Sequence, residues 1–372
     1  MKKILGVVNL HDCPHLGPLT MKRPTGATSF LGRYGLMDFA LSNLSNSGID
    51  QVVVLAESSY RSVRNHLQDG HIWVNNTKLG YQRIITNESL LSVSKFNTDI
   101  ANILQNKNIL YDTKPDYIVI APVFLLMSYD YNELIEKHIE SGADVTVLCK
   151  HIDNSSKEFL NCDVVNIDKD GFVSDFSTNM GRKKEVDISL ESFVIGTDTL
   201  LDICYKQKDV SALYSLRQMI SYLTNNGLLK TNTCFFDGFV APIMSFEHYV
   251  EQSFKLLPFE QRKKLFNPDW PIYTTTHNTP PALYGEHANV VNSFVANGCV
   301  IKGKVKNSIL SRDVIVEEGA VVEDCIIFTH TRIGPNVKLK NVVTDKYSEI
   351  VEVKKIVRDK NNVLYIGKGE RV

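Results

Sequence analysis

The chain has 372 residues, 43% hydrophobic and 22% charged, enough to bury two separate cores in an ordinary globular protein. Its net charge of −1, without a long run of Lys or Arg, argues against a nucleic-acid surface or a polybasic membrane patch. No stretch approaches the roughly 18 apolar residues of a membrane span, and the seven cysteines are scattered without a CxxC pair, which speaks against a disulfide framework or zinc site and for reduced thiols in a cytoplasmic protein.

Met1-Lys2-Lys3 before Ile4–Val8 has the opening of a signal peptide, but Asn9, His11 and Asp12 cut the apolar run short. It reads as a buried first strand. Short β-branched runs at Gln51–Ala56, Asp116–Ala121 and Ala143–Lys150 have the character of strands in a parallel sheet covered on both faces. Helices fit between them. Asp38–Ser47 has Asp38 as N-cap and Gly48 as C-cap, Ser59–Gln68 places Tyr60, Val63 and Leu67 on one face, and Tyr131–Ser141 is closed by Gly142. This rhythm predicts a doubly wound, Rossmann-like α/β domain over residues 1–253. Phe254–Pro281, rich in Pro, Thr and Asn, predicts an extended stretch within a linker spanning residues 254–287.

Residues 288–372 change character. Ile309, Ile315, Val321, Ile327, Ile333 and Leu339 recur at a spacing of six, and small residues such as Asp313, Gly319, Cys325 and Thr331 fall between them. The pattern predicts a left-handed parallel β-helix of hexapeptide repeats, each face pointing one aliphatic side chain inward. Val295 and Ile301 keep the spacing but sit two residues out of phase, which predicts a small insertion at a corner.

Two stretches carry a family likeness: Pro18-Leu19-Thr20-Met21-Lys22-Arg23, and Gly32–Gly48, which reads GRYGLMDFALSNLSNSG. With the repeat block Ala288–Asp345, they make the chain similar over nearly its whole length to bacterial glucose-1-phosphate adenylyltransferase (ADP-glucose pyrophosphorylase). It resembles most the noncatalytic GlgD-type regulatory subunit. The resemblance implies a nucleotidyltransferase domain followed by a hexapeptide β-helix. It also implies a place in glycogen biosynthesis, where ATP and glucose 1-phosphate give ADP-glucose and pyrophosphate.

The same resemblance exposes what is missing. The family's phosphate loop, GGxGxR, uses glycines to bring backbone N–H groups to the triphosphate and an arginine to neutralise the departing pyrophosphate. Here Leu10, His11 and Cys13 replace the glycines, His15 replaces the arginine, and Pro14 removes a donor. Thr25 stands for the lysine of RAKPA, and Phe176–Asn179 for the sugar-phosphate lysine of FxEKP. Of the two carboxylates that hold magnesium in the family, the first falls in Ala121–Tyr131, where no acid precedes Asp130, and the second falls at Pro242. Magnesium needs hard oxygen ligands and phosphoryl transfer depends on its charge, so no catalytic residue and no metal ligand is expected in this chain. No cofactor is expected on it, and Mg2+ is implied at a catalytic partner subunit.

Lys22, Arg23 and Arg33 match basic positions that take part in binding anionic effectors in the family, while Ser29 and Gly35 stand where some members carry His and Arg. The alternative is that Lys22 and Arg23 are solvated loop charges. The implied partners are a catalytic subunit in a hetero-oligomer, a tetramer by family likeness, and an anionic metabolite, with a homo-oligomer as a further state. Two other functions stay open: an active nucleotidyltransferase with a rebuilt site, and a hexapeptide acyltransferase using His330, the one histidine inside the repeat. Asp237 before Gly238 reads as a turn residue, and His66, His71 and His138 have no carboxylates at ligand spacing in sequence. Glu57-Ser58-Ser59 follows a strand end, where α/β sites lie.

Overall fold

The structure, a computed structural model, describes residues 2–57, 59–87 and 96–372. Its first part is built on a nine-stranded sheet. In chain order the elements are β1 (Ile4–Asn9), α1 (Met37–Asn46), β2 (Gln51–Ala56), α2 (Tyr60–Leu67), β3 (Tyr81–Thr86), α3 (Asp99–Gln105), β4 (Tyr117–Ala121), α4 (Tyr131–Ser141), β5 (Val145–Ile152), β6 (Asp163–Ile167), β7 (Val173–Thr178), β8 (Val186–Gly196), α5 (Thr197–Val210), α6 (Leu216–Asn225), β9 (Thr231–Phe235) and α7 (Phe246–Lys255). The strand order is β7-β6-β8-β4-β1-β2-β3, with β5 on β8 and β9 on β5.

The half formed by β4, β1, β2 and β3 is parallel, as the βαβ rhythm predicts. The other half is organised by β8, which runs antiparallel to β4, β5 and β6. The strand predicted at Ala143–Lys150 therefore begins at Val145 and lies parallel only to β9. Alternation along β1 sends Val8 to one side of the sheet and Leu5 and Val7 to the other. α1 and α4 cover the first side with Phe39, Leu41, Leu44 and Leu134. Ile100, Ile103, Leu200, Ile203 and Met219 of α3, α5 and α6 cover the second.

The C-terminal part is a left-handed parallel β-helix whose faces are three five-stranded parallel sheets. Columns such as Val305-Val322-Leu339-Ile356 and Leu310-Ile327 fill its interior. The hexad phase needs correction here. Ile327, Ile333 and Leu339 point inward as predicted, but Ile309, Ile315 and Val321 do not: their neighbours Leu310, Val316 and Val322 do. The cause is coil length. The step in one column is 17 residues from Leu310 to Ile327, one short of three hexads. It is 15 from Val295 to Leu310, so the early phase break marks a shortened corner and not an insertion. Asn292, Asn307, Asp324 and Asn341 turn one corner with positive φ, residue types that tolerate the left-handed region.

The outward side chains of the third face, Ile309, Ile326 and Val343, join the same apolar cluster as α1, so the two parts share a continuous core. Gly32, with φ 79°, lies where the backbones meet: a β-carbon there would come within 2.9 Å of the Leu310 carbonyl oxygen. The segment predicted as extended starts inside α7 and forms a helical turn at Phe259–Arg262. Its remainder runs between α1 and the β-helix. Trp270 Nε1 donates to Asn43 Oδ1 at 2.9 Å, Tyr273 N to Ser42 Oγ at 2.9 Å, and Arg312 Nη2 to the Thr275 carbonyl at 2.9 Å.

Candidate functional site

The chain leaves β1 toward β2 on one side and returns through β4 on the other, which makes the carboxyl ends of β1 and β4 the topological switch point where α/β sheets bind ligands. The loop after β1 occupies that crevice with its own side chains. Leu10, His11 and Leu16 are buried. His11 Nδ1–H donates to the Asn97 carbonyl at 3.1 Å and Nε2 accepts from Asn102 Nδ2 at 3.1 Å, which sets one neutral tautomer. Burial lowers the His11 pKa, outweighing Glu57 and Asp12, which raise it. Thr25 Oγ1 donates to the Pro14 carbonyl at 2.9 Å and ties down the far side of the loop.

Facing the loop is a charge cluster invisible in the sequence. Arg217, on the first turn of α6, donates through Nε to Asp12 Oδ2 at 3.0 Å and through Nη1 to Asp163 Oδ2 at 2.9 Å. Glu191 Oε2 lies 3.8 Å from Arg217 Nε. Asp12 also accepts from Ser215 Oγ at 2.8 Å, and buried Asp99 accepts from Leu216 N at 2.9 Å and Asn9 Nδ2 at 2.8 Å. The positive end of α6, which could meet a phosphate, thus meets the chain's own carboxylates. Burial pushes Asp99 up to about 6 and Glu191 up to about 8. A cavity of about 30 Å³, room for ordered water, remains between Asn9, Asp12, Pro122, Phe124, Glu191 and Arg217. The Ser215-x-x-Gln218 capping box could have been read as a helix start, but nothing local announces the partners of Arg217.

The two segments in which the resemblance expects metal carboxylates do come together: Leu125–Leu126 pairs antiparallel with Ala241–Pro242. Their side chains do not fit a hard cation. Pro122, Val123, Phe124 and Pro242 are all buried there, and among the described residues no group of three His, Cys, Asp or Glu is placed to hold a metal. At the position of the sugar-phosphate lysine, Phe176 is buried, and the Asn179 amide donates to the carbonyls of Ser155 and Phe159, both at 3.0 Å.

Of the three predicted effector residues, Lys22 and Arg33 are exposed and Arg23 is 5% exposed. Arg23 is no solvated loop charge. Its Nη2 donates to Asp345 Oδ1 at 2.6 Å and Oδ2 at 2.7 Å, joining the α/β part to the β-helix. Tyr365 OH donates to the same carboxylate at 2.6 Å. Arg23 Nη1 is buried with no partner among the described residues. Along the same seam, burial lowers the pKa of half-buried Lys346, helped by the charges of Arg23, Lys368 and Arg312. Burial and then Arg33 lower Arg312. Arg33 thus acts on Arg312, and Arg23 and Arg312 on Lys346, with Asp38, Asp313 and Asp345 opposing them. Gly35 packs against His66: a β-carbon there would meet Nε2, the ring nitrogen paired with Asp38, at 2.7 Å.

Asp38 is not an N-cap. α1 starts at Met37, and buried Asp38 accepts from Gly35 N at 2.8 Å and pairs with His66 Nε2 at 2.5 Å. This gives His66 the carboxylate partner that sequence spacing did not show. His138 is buried against Thr146, with Nδ1 3.0 Å from Oγ1. Exposed His330 stacks on Tyr347 with ring centroids 4.9 Å apart. His71 and Asp237 are surface residues of a short 3-10 turn and a loop. Glu57 offers its carbonyl to Asn97 Nδ2 at 2.9 Å, while Ser58 lies outside the described residues.

Comparison with known proteins agrees with this architecture. The nucleotidyl transferase family matches residues 14–177, and the GlmU-like C-terminal hexapeptide family matches residues 280–362. The chain is 28% identical to a glucose-1-phosphate adenylyltransferase of Corynebacterium jeikeium over 90% of its own length and 87% of that protein. It is 28% identical to one from Bacillus thuringiensis over 94% and 92%. With the glycogen biosynthesis protein GlgD of Geobacillus stearothermophilus it shares 30% identity over 86% of this chain and 83% of the relative.

Proposed function

The chain belongs to the family of bacterial glucose-1-phosphate adenylyltransferases and GlgD glycogen-biosynthesis proteins, and from that premise we propose that it is a regulatory, catalytically deficient subunit. It pairs in the cytoplasm with a catalytic subunit of the same fold, which makes ADP-glucose and pyrophosphate from ATP and glucose 1-phosphate with Mg2+. The observation that supports this most is Arg217. The switch-point crevice holds an internal guanidinium ringed by carboxylates, the reverse of the electrostatics a triphosphate needs. The uncapped first coil of the β-helix, with Leu283 63% and Val291 50% exposed, supports a subunit contact there. Among the described residues no helix is long and apolar enough to cross a membrane. Adding the chain to a catalytic subunit is expected to raise its rate; a mixture no faster than the catalytic subunit alone overturns the pairing.

Lys22, Arg23 and Arg33 take an anionic effector, a sugar bisphosphate or nucleotide, at the seam with the β-helix. The unpartnered, buried Nη1 of Arg23 supports this, together with the basic neighbours Arg312 and Lys346 at the seam. Because Lys22 and Arg33 are exposed, the double variant K22A/R33A is expected to fold with stability unchanged within about 0.5 kcal/mol. Effector titration of the mixed oligomer then reads its loss of response, and an unaltered activation curve removes these two residues from the site.

A further inference from the structure

The cluster around Arg217 joins four parts of the chain: the loop after β1 through Asp12, β6 through Asp163, β8 through Glu191, and α6. Main-chain pairing between them is thin, since β6 meets β8 at Ile188 and Val164 only. One of the acids sits on strained backbone. Glu191 has φ 51°, in the left-handed region that favours glycine, and lies inside the register shift of β8 between Ser189 and Phe193, while Asp12, at φ 47°, is of a type that tolerates that region. Such conformations persist where the surroundings hold them: Glu191 N donates to Ser189 Oγ at 3.1 Å, and its carboxyl lies 3.8 Å from the Arg217 guanidinium.

We propose that Arg217 is a positioning residue that locks the crevice shut, replacing a bound ligand as the tie between the β1 loop, β6 and β8, so that the subunit offers its partner one conformation regardless of nucleotide. The proposal rests on the reading of the crevice as vacated. It also carries a pH response. Glu191 faces Arg217 from α6, Asp163 from β6 and Asp12 from the β1 loop, with the Cys13 and Cys162 thiols beside it. Burial, with Asp163 and Asp12 adding and Arg217 opposing, lifts its pKa from 4.5 to about 8. The folded state therefore holds a proton that the unfolded state releases. The stability contributed is fully present below about 4.5, falls as pH rises through about 8, and then levels off.

The test is hydrogen exchange and thermal unfolding of the full chain. R217Q is expected to exchange about tenfold faster at residues 9–16 and 163–178 and to melt several degrees lower, because it strands buried carboxylates. D12N removes one partner while keeping Arg217, and is expected to move both readouts the same way by less, which keeps the test informative if R217Q does not fold. E191Q is expected to flatten the decline in melting temperature between pH 5 and pH 8. Unchanged exchange in both R217Q and D12N overturns the lock, as does protection of residues 9–16 in wild type by ATP with Mg2+. Pyrophosphate release by the chain alone would refute catalytic deficiency while these exchange shifts still stood, so the two failures are separable.

Discussion

Arg23→Ala is expected to destabilise the folded chain by about 3–5 kcal/mol, the usual cost of removing one member of a buried ion pair. Arg23 and Asp345 are both buried, with side chains 4% and 3% exposed, so little water screens the stranded carboxylate. Tyr365 OH cannot neutralise it, and the guanidinium also covers the Phe328 ring, 5.8 Å from its centroid. Since the pair joins the α/β part to the β-helix, the loss should appear in the transition that separates them. Chemical denaturation of R23A beside wild type checks this. A change below about 1 kcal/mol would mean that the pair is solvated, and the seam would need another explanation. Any loss of effector response in R23A must then be read beside that of K22A/R33A, which leaves the pair intact.

Ile327→Ala and Ile315→Ala should differ sharply, although the spacing of six treats the two residues alike. Ile327 is 0% exposed inside the β-helix, and its truncation is expected to cost about 2–5 kcal/mol. Ile315 points outward and is only partly buried, so its truncation is expected to cost roughly 1 kcal/mol or less. Equal losses would mean that the coils follow the hexad register after all. The comparison is a direct reading of coil length, because a step of 17 residues is what moves Leu310 and Val316 inward in place of Ile309 and Ile315.

What the sequence made legible was local. β2 and α4 fall where the apolar runs and Gly142 put them. The loss of glycines after β1 was equally visible, because a missing residue type needs no tertiary information. The features that explain the site were not local. Arg23 and Asp345 are 322 positions apart, and Arg217 and Asp12 are 205 apart. No periodicity connects such pairs. The same limit explains Asp38, whose place before an apolar run suggests an N-cap while its carboxylate serves Gly35 and His66. β8 carries no clear strand pattern in the sequence, because its register shift interrupts the alternation at Glu191.

Both places where the family likeness implies phosphate handling, the switch point and the interdomain seam, contain an arginine held by the chain's own aspartates. At the seam one guanidinium nitrogen is still unpartnered, whereas at the switch point the guanidinium faces three acidic side chains, Asp12, Asp163 and Glu191. That difference is why regulation is proposed to survive where catalysis does not.

The most direct measurement is pyrophosphate release from ATP, glucose 1-phosphate and Mg2+ by the purified chain, alone and mixed with a catalytic subunit of the family. The chain alone is expected to fall at least about 10³-fold below that catalytic subunit, since losing even one charge-stabilising group typically costs 10²–10³, and the mixture is expected to exceed the catalytic subunit by itself. Turnover by the chain alone at a rate comparable to the catalytic subunit would contradict the account and require a phosphate and metal site elsewhere than at Arg217.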